Sequence, residues 1–366
     1  MIKEYPVVIV GGGPAGTNAA KELANAGVKV LLIEKDFNYN KPCGGGLFVK
    51  AFKEFNIPTD LISKEIENIN ITSKTNSATV NISGNSLALV DRKVFDASLR
   101  DMAQKAGAEL LEAKVYSIIK NSSSYTIKTK NSKETFEIKA NYIIAADGVN
   151  STVKKILLNK KPKSVLTHYI NISNYPKDSC DFFFDFKISK GYYSWVFPHG
   201  NGVNIGLIGN GKNITNNLKE LMQYIDIKDK TKLYGYNIPQ WSSKEVMYKD
   251  RVFYTGDSAS LVLPFTYEGI YYALKSGQLA AKAIIKKDVN LYEQEWNNLY
   301  KKKFKFLNLL QKIFLINSYT IDKMVNMYKN KKIANTILSY WNGSRKPLSL
   351  LKTITKVIKT FLLLKK

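Results

Sequence analysis

Gly11, Gly13 and Gly16 stand in the spacing G-x-G-x-x-G, and their surroundings supply the context that this spacing needs. An apolar strand over 7–10 enters the turn, a small-residue helix leaves it to about Asn25, and an apolar strand over 28–33 ends in Glu34. Gly11 permits the tight turn, Gly13 lets backbone approach a pyrophosphate, and Gly16 lets the helix pack close to the strand. The helix N-terminus offers free N–H groups and a positive dipole end to phosphates. Glu34 can accept hydrogen bonds from ribose hydroxyls. Together these residues point to a bound dinucleotide. A second glycine-rich loop, Lys-Pro-Cys-Gly-Gly-Gly-Leu at 41–47, suits a flat ligand, because consecutive glycines remove side chains from its approach. Cys43 within it is either a small buried filler or a thiol set beside that ligand, and the residues leave both readings open.

Elements must hold these groups in place. Two further turns carry an acid after an apolar strand: 142–146 opens into Asp147-Gly148, with Ser151 and Lys154 beyond, and 252–255 opens into Gly256-Asp257. After Pro264 and the run 266–270 a helix begins, with Ile270, Ala273, Leu274, Gly277, Ala280, Ala281 and Ile284 in one stripe. Phe95, Leu99, Met102 and Ala106 also fall at helical spacing, while 115–119, 125–129 and 135–138 read as a small meander. Short alternating segments over 66–90 suggest strands. From 160 to 244 the alternation is that of strands without helical period, which predicts an antiparallel insert covering something apolar. There Phe182, Phe184, Phe186 and Ile188 are expected on one strand face, and Tyr193, Trp195 and Phe197 on one face of another. That trio is either core packing or the wall of a pocket. Gly200 and Gly202 join two strands and do not form a second nucleotide loop.

The 366 residues, 45% hydrophobic and 12% aromatic, suffice for two interleaved domains with a sizeable core and exclude a mostly disordered chain. No apolar run reaches the roughly 18 residues of a spanning helix, and no leader peptide is expected. Cys43 and Cys180, with His168 and His199, cannot furnish a disulfide framework or a zinc site, so no metal is expected and a reducing compartment is. Lys and Arg number 55 against 30 acids, a net charge of +25. Fifteen Lys and one Arg against Asp322 alone place +15 of that charge in 299–366, so the tail expects an anionic partner.

Taken in order, the glycine motif, Asp147-Gly148 and Gly256-Asp257 resemble the flavoprotein hydroxylase superfamily, and more closely the geranylgeranyl reductase family. The closer match rests on KPCGGGL at 41–47, DRKVFDASL at 91–99, AADGVNSTV at 145–153, YYSWVFP at 192–198 and GDSASLVLPFTYEGI at 256–270. The resemblance implies an α/β fold with a glutathione-reductase-like, FAD-binding Rossmann domain in 1–65, 91–158 and 245–288. It further implies an antiparallel β-sheet substrate domain in 66–90 and 159–244, and a basic helical C-terminal segment in 289–366. FAD would lie with its ADP half on Gly11, Gly13, Ala15, Gly16 and Glu34. Cys43, Gly44 and Gly46 would sit by the isoalloxazine, Arg92 by the diphosphate and ribityl side, and Val115 near the adenine. Asp257 would bond the ribityl chain, Gly269 and Ile270 would meet the pyrimidine edge, and Asp147 would support the site indirectly. This chain departs from the family pattern at Ser260 and Tyr267, both commonly glycine. A ring at Tyr267 would narrow the space beside the flavin, which bears on substrate size more than on FAD binding.

The implied activity is reduction of carbon–carbon double bonds in isoprenoid chains of a lipid or quinone, by hydride from reduced flavin. Cys43 would act near the substrate face, and Tyr193, Trp195 and Phe197 would wall the substrate; no acid is assigned for the accompanying proton. Electrons would come from NAD(P)H or a reduced carrier such as ferredoxin. The alternative is an FAD-dependent monooxygenase using NAD(P)H and dioxygen on an apolar small molecule. Nucleic acid is not an expected partner, because no such module is recognisable. In the tail, Leu351, Ile354, Val357, Ile358 and Phe361 recur at helical spacing opposite Lys352, Lys356 and Lys359. A basic amphipathic helix of this kind predicts a cytoplasmic protein peripherally attached to an anionic membrane surface, with Phe304, Phe306, Leu309, Leu310, Ile313 and Phe314 as a second contact. The other reading packs both stretches on the body.

Overall fold

The computed structural model describes residues 3–84, 86–209, 213–227, 232–341 and 361. The glycine spacing delivers the strand, helix and strand it predicts: β1 (Lys3–Val10), α1 (Pro14–Asn25) and β2 (Val30–Glu34). Val7 to Val10 are buried without alternation, as in a parallel strand covered on both faces, and they pair with Val30 to Ile33. Next come β3 (Gly46–Phe48), α2 (Lys50–Glu54), β4 (Lys64–Ile66), β5 (Asn68–Thr72), β6 (Ser77–Asn81) and β7 (Leu87–Leu89). α3 (Arg92–Lys105) starts where the Asp91 carboxylate accepts from the Lys93 and Val94 amides. β8 (Glu109–Glu112), β9 (Lys114–Lys120), β10 (Tyr125–Lys130), β11 (Thr135–Ala145) and α4 (Thr152–Leu158) follow.

β11 is one strand of 11 residues where the pattern suggests two. It pairs antiparallel with β10 from Lys130↔Thr135 to Tyr125↔Ala140, and parallel with β1 from Lys3↔Ile138 to Val10↔Ala145. The change from alternating to continuously apolar residues marks a change of neighbours, not a break in the chain.

The second half supplies β12 (Ser164–Ile172), β13 (Cys180–Phe183), β14 (Ser194–His199), β15 (Gly202–Gly209), α5 (Ile214–Tyr224), β16 (Tyr234–Pro239), β17 (Tyr248–Lys249) and β18 (Val252–Tyr254). Then come α6 (Ile270–Ile285), α7 (Asn290–Trp296), α8 (Lys302–Phe314), α9 (Ser318–Tyr328) and α10 (Lys331–Trp341). One sheet runs β17-β18-β11-β1-β2-β8, with β10 and β9 continuing from β11. A second runs β16-β12-β15-β14-β13-β5-β6, and a small one β3-β7-β4.

Three expectations change. Residues 160–244 are not wholly strand, because Ile214, Leu218, Leu221 and Met222 bury one face of α5 against the sheet. The proposed run through Ile188 ends at Phe183: the Ser189 amide donates to the Asp185 carbonyl, so Phe186 and Ile188 lie in a turn. The second sheet is not purely antiparallel, since β5 and β13 pair in parallel.

α6 packs across α1, and α8 to α10 continue from it over the second sheet. There Ser73 donates to the Asp322 carboxylate, tying the β5–β6 turn to α9. Phe304, Phe306, Leu310 and Phe314 are buried, Phe304 against the rings of Trp241, Tyr272 and Trp296, so that stretch packs on the body instead of standing free. Leu309 is exposed. The tail helix expected from Leu351 onward lies outside the described residues except for Phe361, whose buried ring sits 4.7 Å from that of Phe314.

Candidate cofactor cleft and substrate pocket

The turn after β1 is made of bare backbone because nothing else fits. Gly11 has φ +110°, and a Cβ there would stand 2.3 Å from the Ala146 carbonyl oxygen. A Cβ on Gly16 would stand 1.9 Å from the Gly11 oxygen, so Gly16 lies behind the loop and serves packing. At Gly13 a Cβ would meet nothing within 4 Å: this position opens on a cleft of about 610 Å³. Ala15, Glu34 and Val115 line the same cleft. Glu34 also braces the loop, with Oε2 accepting from the Gly12 amide at 2.6 Å and Oε1 from the Lys35 amide at 2.8 Å. Arg100, which the motif does not reveal, fastens the far wall by donating to the Phe37 carbonyl at 2.6 Å. Asp147 accepts from the Val153 amide at 3.0 Å, while its Oδ1 is buried without a partner. Burial holds that carboxyl above its ordinary range.

Past Pro14, Lys41, Arg92 and Asp257 the cleft joins a second cavity of about 140 Å³. Arg92 is buried and grips Asp96 through two bonds of 3.0 and 2.6 Å, beside the Cys43 thiol. Lys41 Nζ lies 2.6 Å from Asp257 Oδ2, a pair the sequence separation of 216 hides. Gly45 has φ +73°, with its would-be Cβ 2.4 Å from the Val90 oxygen, and a Cβ on Gly44 would stand 2.8 Å from the Phe197 ring. The glycine loop is thus held between β7 and the aromatic wall. Cys43 is exposed and lines the cavity, so it is not a buried filler. Gly46 lines it too, and Gly269 and Ile270 present the N-terminus of α6 without a side-chain cap.

Tyr193, Trp195 and Phe197 line this cavity with Phe182, to which Phe197 stands edge-on at 5.0 Å. Their polar atoms are turned to protein: Trp195 Nε1 donates to Asn204 at 2.6 Å and the Tyr193 hydroxyl to the Thr266 carbonyl at 2.7 Å. The trio is therefore both packed and a wall. Ser260 and Tyr267 each have φ +56°, the left-handed region. The two departures from glycine fall where glycine would be unstrained, at about 1–2 kcal/mol each. Tyr267 is held there by Gln311, which donates to its hydroxyl at 3.1 Å.

A carboxylate to which the sequence assigns no role also faces the pocket. Glu268 lines the cavity, and its Oε1 is buried without a hydrogen-bond partner. Burial pushes its carboxyl up to about 7, against the pull of Lys303, Trp341 and Lys50.

The family described as an FAD binding domain matches residues 4–179. A geranylgeranyl diphosphate reductase from Rhodobacter capsulatus is 32% identical over 293 residues, covering 76% of this chain and 75% of its own. A digeranylgeranylglycerophospholipid reductase from Thermoplasma acidophilum is 30% identical over 376 residues, 92% of this chain and 94% of its own. The chain belongs to the geranylgeranyl reductase family. A solved geranylgeranyl bacteriochlorophyll reductase-like structure from Thermoplasma acidophilum superposes with a TM-score of 0.84 at 23% identity, covering 99% of this chain and 98% of its own, which shows the shared fold. FAD is the cofactor of this family member. The geometry fits it: open space at Gly13, an orphaned carboxylate oxygen on Asp147, and two joined cavities for the two halves of an extended ligand.

Gly13→Val should therefore fold with little loss of stability and purify with little flavin, whereas Gly16→Val should lose about 2 kcal/mol or more through overpacking. Flavin absorbance per protein and thermal unfolding read the two effects. Full FAD content in Gly13→Val would contradict the placement.

Proposed function

We propose that the protein is an FAD-dependent reductase that saturates carbon–carbon double bonds of isoprenoid chains on a lipid or quinone. The observation that carries this reading is the aromatic pocket of Phe182, Tyr193, Trp195 and Phe197, floored by Cys43 and Gly44, joining the cofactor cleft past Lys41, Arg92 and Asp257. Phe182, Thr266 and Trp341 also border a third, narrow apolar cavity lined by Ile69, Leu307 and Phe314, which suits a hydrocarbon tail. When bound and reduced, FAD supplies a hydride to one alkene carbon. Arg92 and Asp257 stand where the middle of the cofactor would lie, and the uncapped α6 N-terminus favours negative charge on it. The ring faces of Tyr193 and Trp195 stabilise cationic character developing on an isolated alkene, and the apolar walls keep water from it. The Cys43 thiol acts at the substrate side of the glycine loop. Electrons come from NAD(P)H or a reduced ferredoxin-type carrier.

The protein works at the inner face of the cell membrane, as a cytoplasmic, peripherally attached enzyme. None of the described helices is long and apolar enough to cross a membrane. On α8 and just beyond it, exposed Lys305, Leu309, Lys312 and Ile316 recur at helical spacing, a basic and apolar face suited to an anionic surface. Each lysine there contributes about 1 kcal/mol.

Incubating reduced enzyme anaerobically with lipid and quinone extracts should give products heavier by two hydrogens in mass spectra. Cys43→Ala should keep its FAD and lose most of that turnover. Oxygenated products in air, with no anaerobic gain of hydrogen, would favour a monooxygenase instead. In flotation, binding to anionic liposomes should weaken in Lys305→Glu/Lys312→Glu; equal binding to neutral liposomes would remove the anionic-surface claim, and no binding to either kind would remove the membrane assignment.

A further inference from the structure

Adding a hydride to an alkene leaves the other carbon in need of a proton, and the pocket must hold its source. Most polar groups on its walls are already committed. Arg92 is locked to Asp96 and Lys41 to Asp257, while the Tyr193 hydroxyl donates to a carbonyl. Burial pushes the Tyr193 and Tyr267 phenols far above their ordinary range. Glu268 is different: its carboxylate lines the cavity directly before Gly269 and Ile270, with an oxygen that no protein donor satisfies. Resting on the reductase reading above, we propose that Glu268 is the proton donor of alkene reduction and is recharged through Lys303 and Lys50.

Four elements face this carboxylate. Lys303 comes from α8 and donates to the carbonyl of Trp341, a lining residue of the pocket, at 2.6 Å, which fixes the ammonium where its charge acts on Glu268. The Trp341 indole at the end of α10 approaches Glu268, yet its Nε1 completes no hydrogen bond of ordinary geometry. Lys50, at the start of α2, is exposed and interacts with both Glu268 and Lys303. Tyr193 faces it from the segment before β14. The cluster therefore runs from solvent at Lys50 to the substrate side at Glu268. Burial shifts the two partners toward each other, the carboxyl up and the Lys303 ammonium down, so either can hold the shared proton near neutral pH.

The step balances as follows. The alkene π bond breaks, and its electron pair forms a C–H bond with the Glu268 proton at one carbon. The hydride from reduced flavin brings the second pair and forms a C–H bond at the other carbon, so the alkene gains two electrons and the flavin loses two. Glu268 is left as a carboxylate beside the Lys303 ammonium, takes a proton from it, and Lys303 is reloaded from water by way of Lys50.

The test compares FAD-loaded wild type with Glu268→Gln, Lys303→Met and Cys43→Ala. Glu268→Gln should keep FAD content and chemical reduction of the flavin and lose alkene saturation by about 100-fold or more. Infrared difference spectra should show a protonated carboxyl in the wild type and in Cys43→Ala that ionises as pH rises, missing from Glu268→Gln. Because the donor must be protonated, saturation should fall as pH rises through the pKa of Glu268. Removing the Lys303 charge raises that pKa, so in Lys303→Met both the infrared midpoint and the falling limb should move up by about one pH unit. Saturation by Glu268→Gln at the wild-type rate, or an unmoved pH profile in Lys303→Met, overturns the assignment. A wild-type enzyme that forms no saturated product while showing the expected infrared titration overturns the reductase reading instead.

Discussion

The molecule hangs on contacts made by bare backbone around the N-terminus of α1. Three glycines let this end of the helix be enclosed: a side chain on Gly11, Gly16 or Gly277 would stand 2.3, 1.9 or 2.1 Å from a carbonyl oxygen of Ala146, Gly11 or Ala15. No rotamer relieves a clash between a Cβ and backbone, so these positions admit no substitution without moving an element. The consequence is geometric. β1 and β11 lie side by side beneath the turn, α6 crosses above it, and the N-terminal end of α1 points into the cleft between them.

The same enclosure sets the pocket. α6 begins just after Gly269, beside the pocket, because its middle is pinned at Gly277, and the loop that feeds it must turn sharply over 260–267. That loop holds three non-glycine residues in left-handed conformation, Ser260, Phe265 and Tyr267. Such strain persists only where surroundings enforce it, here through the Tyr267–Gln311 bond and the ring contacts of Tyr192 and Tyr193. Across the cavity Phe197 presses on Gly44, so the second sheet and the glycine loop share one interface. Cofactor cleft and aromatic pocket are two ends of one packed unit.

How much of this could be read from the chain follows the range of the interaction. The first Rossmann unit was legible because its signals are contiguous: strand, glycines, helix, strand and Glu34 within 34 residues. The aromatic wall was half legible, since a period of two places Trp195 and Phe197 on one face but cannot say what they face. Helix α5 was lost because its apolar stripe sits between strands whose alternation dominates the window. Pairs joined only by folding left no trace: Lys41 with Asp257, Arg100 with the Phe37 carbonyl, and Glu268 with Lys303. Lys303 in particular reads as one of a run of surface lysines, and only the packing of α8 and α10 over the pocket turns it inward.

The central claim is that the cofactor in the cleft reacts with an alkene in the aromatic pocket. Anaerobic rapid mixing of the fully reduced protein with a geranylgeranyl-chain lipid tests it directly, with flavin absorbance as the readout. Return of the oxidised flavin spectrum in step with the amount of alkene added, and not with a fully saturated analogue, is the result predicted. A flavin that stays reduced with both lipids until air is admitted would contradict it.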